Sequence, residues 1–145
     1  MTIELSDDPA RIDTPRVHVW LASSYWTPGI ARDQVERQNA GSHCLGAYHP
    51  DHGQVGFARV ISDRASFAWV ADVWVDETIR GQGLGRRMVG WFVEHPAYAT
   101  VRRFALTTAD AHGVYAGLGF TPLMRPERLM ERLSPAFTAM LKAAP

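Results

Sequence analysis

Arg80-Gly81-Gln82-Gly83-Leu84-Gly85 separates two apolar stretches of different period. Residues 70–75, Val-Ala-Asp-Val-Trp-Val, have the composition of a strand, and from Leu84 onward Leu84, Met88, Trp91 and Phe92 recur on one helical face. Arg86, Arg87 and Glu94 fall on other faces. Three glycines at alternate positions leave backbone N–H groups uncovered, and the helix that follows points its positive end at the same place. The stretch reads as a seat for a pyrophosphate, with Arg80, Arg86 and Arg87 placed to meet phosphate.

Residues 66–75 are apolar on both alternating faces, as in a central strand covered on two sides, and Asp72 is the exception. Two shorter apolar runs precede it, 43–48 and 54–61, joined by His49-Pro50-Asp51-His52-Gly53 in the manner of a hairpin. Residues 2–5 read as a first strand, followed by a turn at Asp7-Asp8-Pro9. Val17, Trp20, Leu21 and Ser24 then mark an amphipathic helix. A weaker second helix spans 30–40, anchored by Ala31 and Val35. Downstream, the helix after the glycines ends near His95-Pro96, and residues 104–107 supply a strand. Asp110 is placed to cap a short helix reaching Leu118, and Gly119-Phe120 opens a final strand pair with 128–133 as its partner. Pro135 begins a tail in which Phe137, Met140 and Leu141 share a helical face. That stripe needs cover from the domain or from a second copy in a homodimer.

A chain of 145 residues with 46% hydrophobic content is read as one domain with a full core. Its 15 basic and 15 acidic side chains cancel, which speaks against a nucleic-acid partner. A single cysteine, Cys44, excludes an internal disulfide and fits a reducing compartment. The N-terminal residues lack the pattern of a signal peptide, and no apolar run approaches the roughly 20 residues that span a bilayer. The expectation is a cytoplasmic protein without a membrane partner. His49 and His52 lie in a turn and are expected to face solvent, with no metal site. Gly41-Ser42-His43-Cys44 is not a Gly-x-Ser-x-Gly elbow, so hydrolase chemistry has no support.

The pattern Arg/Gln-x-x-Gly-x-Gly/Ala between a strand and a helix, here Arg80, Gly83 and Gly85, resembles the acetyl-CoA loop of the GNAT N-acetyltransferase family. About thirty residues on, Ala111-His112-Gly113-Val114-Tyr115-Ala116-Gly117-Leu118-Gly119-Phe120 is similar to the family's A-x-x-x-Y-x-x-x-G-F segment. The resemblance implies an α/β (α+β) single domain, a mixed, mainly antiparallel twisted sheet flanked by about four helices. The family domain would occupy residues 1–134 and the tail 135–145. A dinucleotide loop of Gly-x-Gly-x-x-Gly type fails, because the sixth position from Gly81 is Arg86. A Walker loop is absent, and CoA is the phosphate ligand that remains.

The resemblance further implies an acetyl-CoA-dependent enzyme that moves an acetyl group to a primary amine of a small molecule or peptide by direct attack. The rival is a catalytically silent acyl-CoA-binding or interaction domain of the same fold. Val73 and Val75 match the strand positions that pair with pantetheine through their backbone. Arg80, Gly81, Gln82, Gly83, Leu84, Gly85 and Arg86 match the phosphate loop. Tyr115 matches the general acid: a phenol holds its proton to about pH 10 and so can donate to a thiol that leaves with a pKa near 8.5. Asp72, the lone acid of its strand, is either the base for the acceptor ammonium or a structural carboxylate. The preceding position, often glutamate in the family, is Ala71 here. His112, three residues before Tyr115, is open between substrate contact, proton relay and helix cap. Tyr25 and Trp26 match the connection that borders the acceptor pocket. Trp74, on the Asp72 strand, is either acceptor-facing or core, and Trp20, Trp69 and Trp91 read as core.

Overall fold

The computed structural model describes residues 2–144. Five strands run β1 (Glu4–Ser6), β2 (His43–His49), β3 (Gly53–Ser62), β4 (Phe67–Val75) and β5 (Arg103–Ala105), and they lie side by side in that order. The first four pair antiparallel, β2–β3 and β3–β4 through short turns and β1–β2 across the segment that holds two helices, whereas β5 joins β4 in parallel after a crossover through a helix. The helices are α1 (Thr14–Ala22), α2 (Arg32–Ala40), α3 (Leu84–Val93), α4 (His112–Ala116) and α5 (Pro135–Ala143).

Local chemistry explains where the helices start. Asp13 precedes α1 and its carboxylate accepts the Arg16 N–H at 3.1 Å, with Pro15 in the first turn. Ser134 caps α5 in the same way through the Phe137 N–H. α1 buries Val17, Trp20 and Leu21 together with Ile30, Val35, Cys44 and Phe57, forming the core on one face of the sheet. α3 buries Leu84, Met88, Val89 and Phe92 against Leu45, Ala47, Ala58, Val60, Ala68 and Val70 on the other. A ten-residue helix is marginal by itself in water. Four buried side chains at about 1.5–3 kcal/mol each hold it to the sheet.

Several expectations need correction. No strand forms at 119–120 or 128–133; among the described residues the sheet ends at β5. Pro122 removes a ladder donor, and Pro126 opens a tight turn, Pro126–Arg128, that closes where the last strand was expected to begin. Asp110 does not cap α4: Ala111 occupies that position, and the Thr108 hydroxyl accepts the Ala111 N–H at 3.0 Å. Ile30 replaces Ala31 as the anchor before α2, because Ala31 is the exposed residue at its N-terminus. His49 is buried rather than solvent-facing; its Nδ1 accepts the Asp51 N–H and its ring stacks on His52 at 4.2 Å. Met1 and Pro145, the outer bounds of the two expected regions, lie outside the described residues.

Candidate active site

β4 carries the site because its two edges differ. Toward β5 it is paired only through Phe67, Ala68 and Trp69, and β5 stops at Ala105. Beyond that point, residues 70–75 present a backbone edge with no ladder partner on that side among the described residues, and Val73 and Val75 belong to it. Toward β3 the register slips: Phe57 faces Trp74 but Arg59 faces Ala71, so one β3 residue stands opposite two of β4. That bulge contains Asp72, whose φ of 53° is left-handed, a conformation that aspartate tolerates better than branched residues.

Three side chains hold Asp72 there. Trp26 Nε1 donates to Oδ1 at 2.8 Å, and Gln38 Nε2 and Arg59 Nε donate to Oδ2 at 2.9 and 2.6 Å. The Asp72 side chain is 4% exposed and that of Arg59 11%, so the ion pair is shielded from water. Arg59 also donates to the Ser42 hydroxyl at 3.0 Å. The carboxylate therefore ties together the α1–α2 connection, α2, β3 and β4. To accept a proton from an ammonium it would have to release one of these donors. Sequence reasoning missed Arg59, Gln38 and Ser42. A signal was present for Arg59, the lone cation of an apolar strand, one hairpin turn from a lone anion in the next strand.

The turn after β4 begins with Asp76, whose N–H bonds the Val55 carbonyl at 2.8 Å, and reaches α3 through Arg80 to Gly83. Gly81 and Gly83 have φ of 81° and 78°, and a Cβ built on either would meet nothing within 4 Å. The left-handed backbone favours glycine, and the space above it is open. Gly83 stands immediately before α3 with no side chain capping the helix, so the first N–H groups of a ten-residue helix face that space. A Cβ on Gly85 would lie 3.7–3.8 Å from methyls of Val73 and Val75, which sets how closely α3 sits on the open strand edge. Gln82 is exposed and Leu84 is buried under the helix. These features fit a pyrophosphate followed by an extended arm along β4.

Chain order and geometry agree with the family comparison, in which residues 40–122 match the acetyltransferase (GNAT) domain. The chain belongs to the GNAT acetyltransferase family. A crystal structure of a Xanthomonas campestris pv. campestris protein assigned to the GNAT family is 40% identical, with a TM-score of 0.88 over 93% of this chain and 95% of that one. A GNAT-family acetyltransferase from Streptococcus pneumoniae TIGR4 is 19% identical and superimposes with a TM-score of 0.66, covering 92% and 96%. Glucosamine-6-phosphate N-acetyltransferase from Arabidopsis thaliana shares the fold at 13% identity, with a TM-score of 0.63 over 92% and 99%. No curated protein matches the chain by sequence.

Within this GNAT fold, Tyr25, Trp26, Trp74 and Arg80 cluster beside the bulge. Trp26 lies 5.0 Å from Tyr25 and 6.0 Å from Trp74 between ring centres, and the Arg80 guanidinium sits 5.0 Å over the Trp74 ring. Arg80 Nε also donates to the Val75 carbonyl at 2.9 Å, and the buried Trp74 Nε1 has no hydrogen-bond partner among the described residues. Arg86 reaches away from the turn, donating to the Gly117 carbonyl at the end of α4 at 2.9 Å. The Tyr25 hydroxyl accepts the Ala109 N–H at 3.1 Å, joining this cluster to the segment that enters α4. Tyr115, on α4, is half-buried with its ring 5.9 Å from Phe120. Burial pushes its phenol above the ordinary value, with smaller contributions from Tyr25 and Asp110, so it stays protonated at neutral pH. His112 is exposed at the start of α4 and joins none of these contacts.

Burial pushes the Cys44 thiol up to about 11, which argues against a cysteine nucleophile. Among the described residues no group of three metal-binding side chains occurs, and no helix is long and apolar enough to cross a membrane. An open groove of about 790 Å³ between β1 and α3 shares Gly83 and Arg86 with the glycine turn, but includes neither Asp72 nor Tyr115. The candidate site is a strand edge and a turn rather than an enclosed cavity.

Proposed function

We propose that this acyltransferase uses acetyl-CoA to acetylate a primary amine of a small molecule or peptide in the cytoplasm, by direct attack of the amine on the thioester. The observation that carries this reading is the continuity of three backbone features: the unpaired edge of β4, the two left-handed glycines and the uncapped end of α3. Val73 and Val75 would hold the pantetheine arm through their main chain. Gly81, Gln82, Gly83, Leu84, Gly85 and Arg86 would supply the amides around the pyrophosphate, with Arg80 turning from Val75 toward it.

When bound, acetyl-CoA supplies an electrophilic carbonyl and a thiol leaving group. The chain's part is to position and to move protons. The Asp72 bulge aims the backbone of β4, and its three donors keep that aim fixed. Tyr115 donates its phenolic proton toward the sulfur. Because its own pKa is raised, its help is strongest when charge on sulfur is well developed. Tyr25, Trp26 and Trp74 form an aromatic wall against which an acceptor cation can rest, and His112 lies on the outer approach. For Asp72 the occupied oxygens favour a positioning role over that of base. A base would give a pH–rate limb that disappears in Asp72→Asn; a positioning carboxylate would leave the limb in place.

The test is release of CoA thiol from acetyl-CoA across a panel of amines, amino-acid conjugates and peptides, alongside calorimetry with acetyl-CoA alone. Binding with amine-dependent thiol release supports the reading. Binding without release for any acceptor would favour the silent acyl-CoA-binding domain.

A further inference from the structure

An amine attacks a thioester only as the free base, so in the reaction proposed above an acceptor ammonium must first lose a proton. The carboxylate bonded to the aromatic wall is Asp72, and three donors already occupy it: Trp26 on Oδ1, Gln38 and Arg59 on Oδ2. Its charge is matched by Arg59 at 2.6 Å, so it has little left with which to hold a cation. Tyr115 stays protonated at neutral pH and takes up no proton. Asp110 and His112 stand in the segment that Tyr25 bonds at Ala109, and both are exposed, where water screens their charges. The wall offers rings to a flat group and no carboxylate free to take a proton from an ammonium.

One donor is left over. Trp74 Nε1 is closed to water and has no hydrogen-bond partner among the described residues. A buried N–H without an acceptor is costly, and a carbonyl oxygen laid against the wall would satisfy it. The Arg80 guanidinium covers that ring at 5.0 Å, and it is the side chain that the pyrophosphate proposed above would draw away, which leaves the indole open to the acceptor.

Without a base, the supply of free amine is set by the acceptor itself. At pH 7 a lysine-like amine, with a pKa near 10.4, is free in about one molecule in 2,500, and an aminoacyl α-amine, with a pKa of about 7.7–8.0, in about one in eight. Each unit of pKa above the working pH removes about tenfold of the free amine and returns less than that in nucleophilicity, because the new C–N bond is only partly formed in the transition state. The best acceptor for such a site has an amine pKa close to neutrality. The carbonyl that brings an α-amine into that range is also the group that Trp74 Nε1 lacks.

We propose that the acceptor is the α-amine of an amino-acid amide carrying an aromatic side chain, with its ring against Tyr25 and Trp26, its carbonyl oxygen on Trp74 Nε1 and its amine toward the open edge of β4. Trp74 is then a residue that determines specificity. The free amine attacks the acetyl carbon, the C–N bond forms and the C–S bond breaks. The sulfur takes the Tyr115 proton, the nitrogen gives one up to water, and Tyr115 is reprotonated from water.

The test compares phenylalaninamide with glycinamide, which lacks the ring, with phenethylamine, which lacks the carbonyl, and with Nα-acetyl-lysinamide, which offers only an ε-amine. Thiol release from acetyl-CoA at pH 7 should give phenylalaninamide a kcat/KM about tenfold or more above each of the others. Its rate should level off near pH 8, its own titration, whereas the two alkylamines should gain about tenfold per pH unit between pH 7 and 9. Calorimetry in the presence of CoA, which cannot react, should show phenylalaninamide binding. Trp74→Phe should weaken that binding about tenfold and leave that of phenethylamine within about threefold. A rate limb shared by all four amines would reveal a base on the enzyme and overturn the proposal, as would preference for either alkylamine at pH 7, or an equal loss of both ligands in Trp74→Phe. Release from other amines of the wider panel but not from phenylalaninamide would overturn the acceptor class and leave acetyl transfer standing. No release from any amine would overturn both.

Discussion

Removing the cation from the Asp72 cluster should be the most damaging single change near the site, because of where the pair sits. Arg59→Met keeps the length and the apolar stem but leaves a carboxylate that is 4% exposed with only the Trp26 indole and the Gln38 amide. Breaking a buried pair by removing one partner costs about 3–5 kcal/mol, whereas an exposed pair would cost under about 1. For a chain of this size, each kcal/mol corresponds to roughly 2–4 °C, so the melting temperature should fall by about 10 °C. Asp72→Asn removes the charge while keeping a side chain that tolerates the left-handed backbone at 53°. The Arg59→Met, Asp72→Asn double variant should therefore regain part of the loss, with a coupling of about 1–3 kcal/mol. Urea denaturation of the parent, both single variants and the double variant measures it. If Arg59→Met lies within about 0.5 kcal/mol of the parent, or if the effects add, the pair does not hold the bulge and the positioning role of Asp72 fails.

Gly85→Ala should stabilise the protein by up to about 1 kcal/mol, since its methyl meets Val73 and Val75 at ordinary contact distance in a helical position. Gly83→Ala, at a φ of 78°, should destabilise it by about 1–2 kcal/mol, and thermal melts of the two read the contrast directly. Tyr115→Phe should retain acetyl-CoA affinity and lose about 100-fold or more in turnover with an identified amine; a loss under about threefold with chemistry limiting would make Tyr115 a packing residue. His43 should make stability fall on mild acidification. Its Nδ1 and Nε2 lie 2.6 Å from the Tyr98 hydroxyl and 2.8 Å from Asp7, and burial holds its pKa below the ordinary value despite the opposing pull of Asp7. The unfolded chain then binds the proton first, so stability present above about pH 6.5 is lost as pH drops from there toward the folded value. The urea midpoint of the parent should fall over that window, and that of His43→Phe should stay flat.

What was legible in the sequence was whatever depends on backbone and period. The glycines at 81, 83 and 85, the apolar stripe of α3 and the Val17, Trp20 and Leu21 face of α1 all act through local geometry, and each falls where its spacing puts it, whereas Ser24, expected on that face, lies past the end of α1. Arg59, Gln38 and Ser42 act on Asp72 only once a hairpin and a helix have brought residues 13 to 34 positions apart within hydrogen-bond reach of one another, which no local pattern encodes. His43, Asp7 and Tyr98 were hidden for the same reason. Residues 128–133 present the opposite case. They were expected to form a strand, but Arg128 ends the tight turn Pro126–Arg128 and among the described residues no strand follows β5. Prolines at 122 and 126 decide the outcome locally, by removing a donor and tightening the chain, so a period read without them assigns a strand that the backbone does not make.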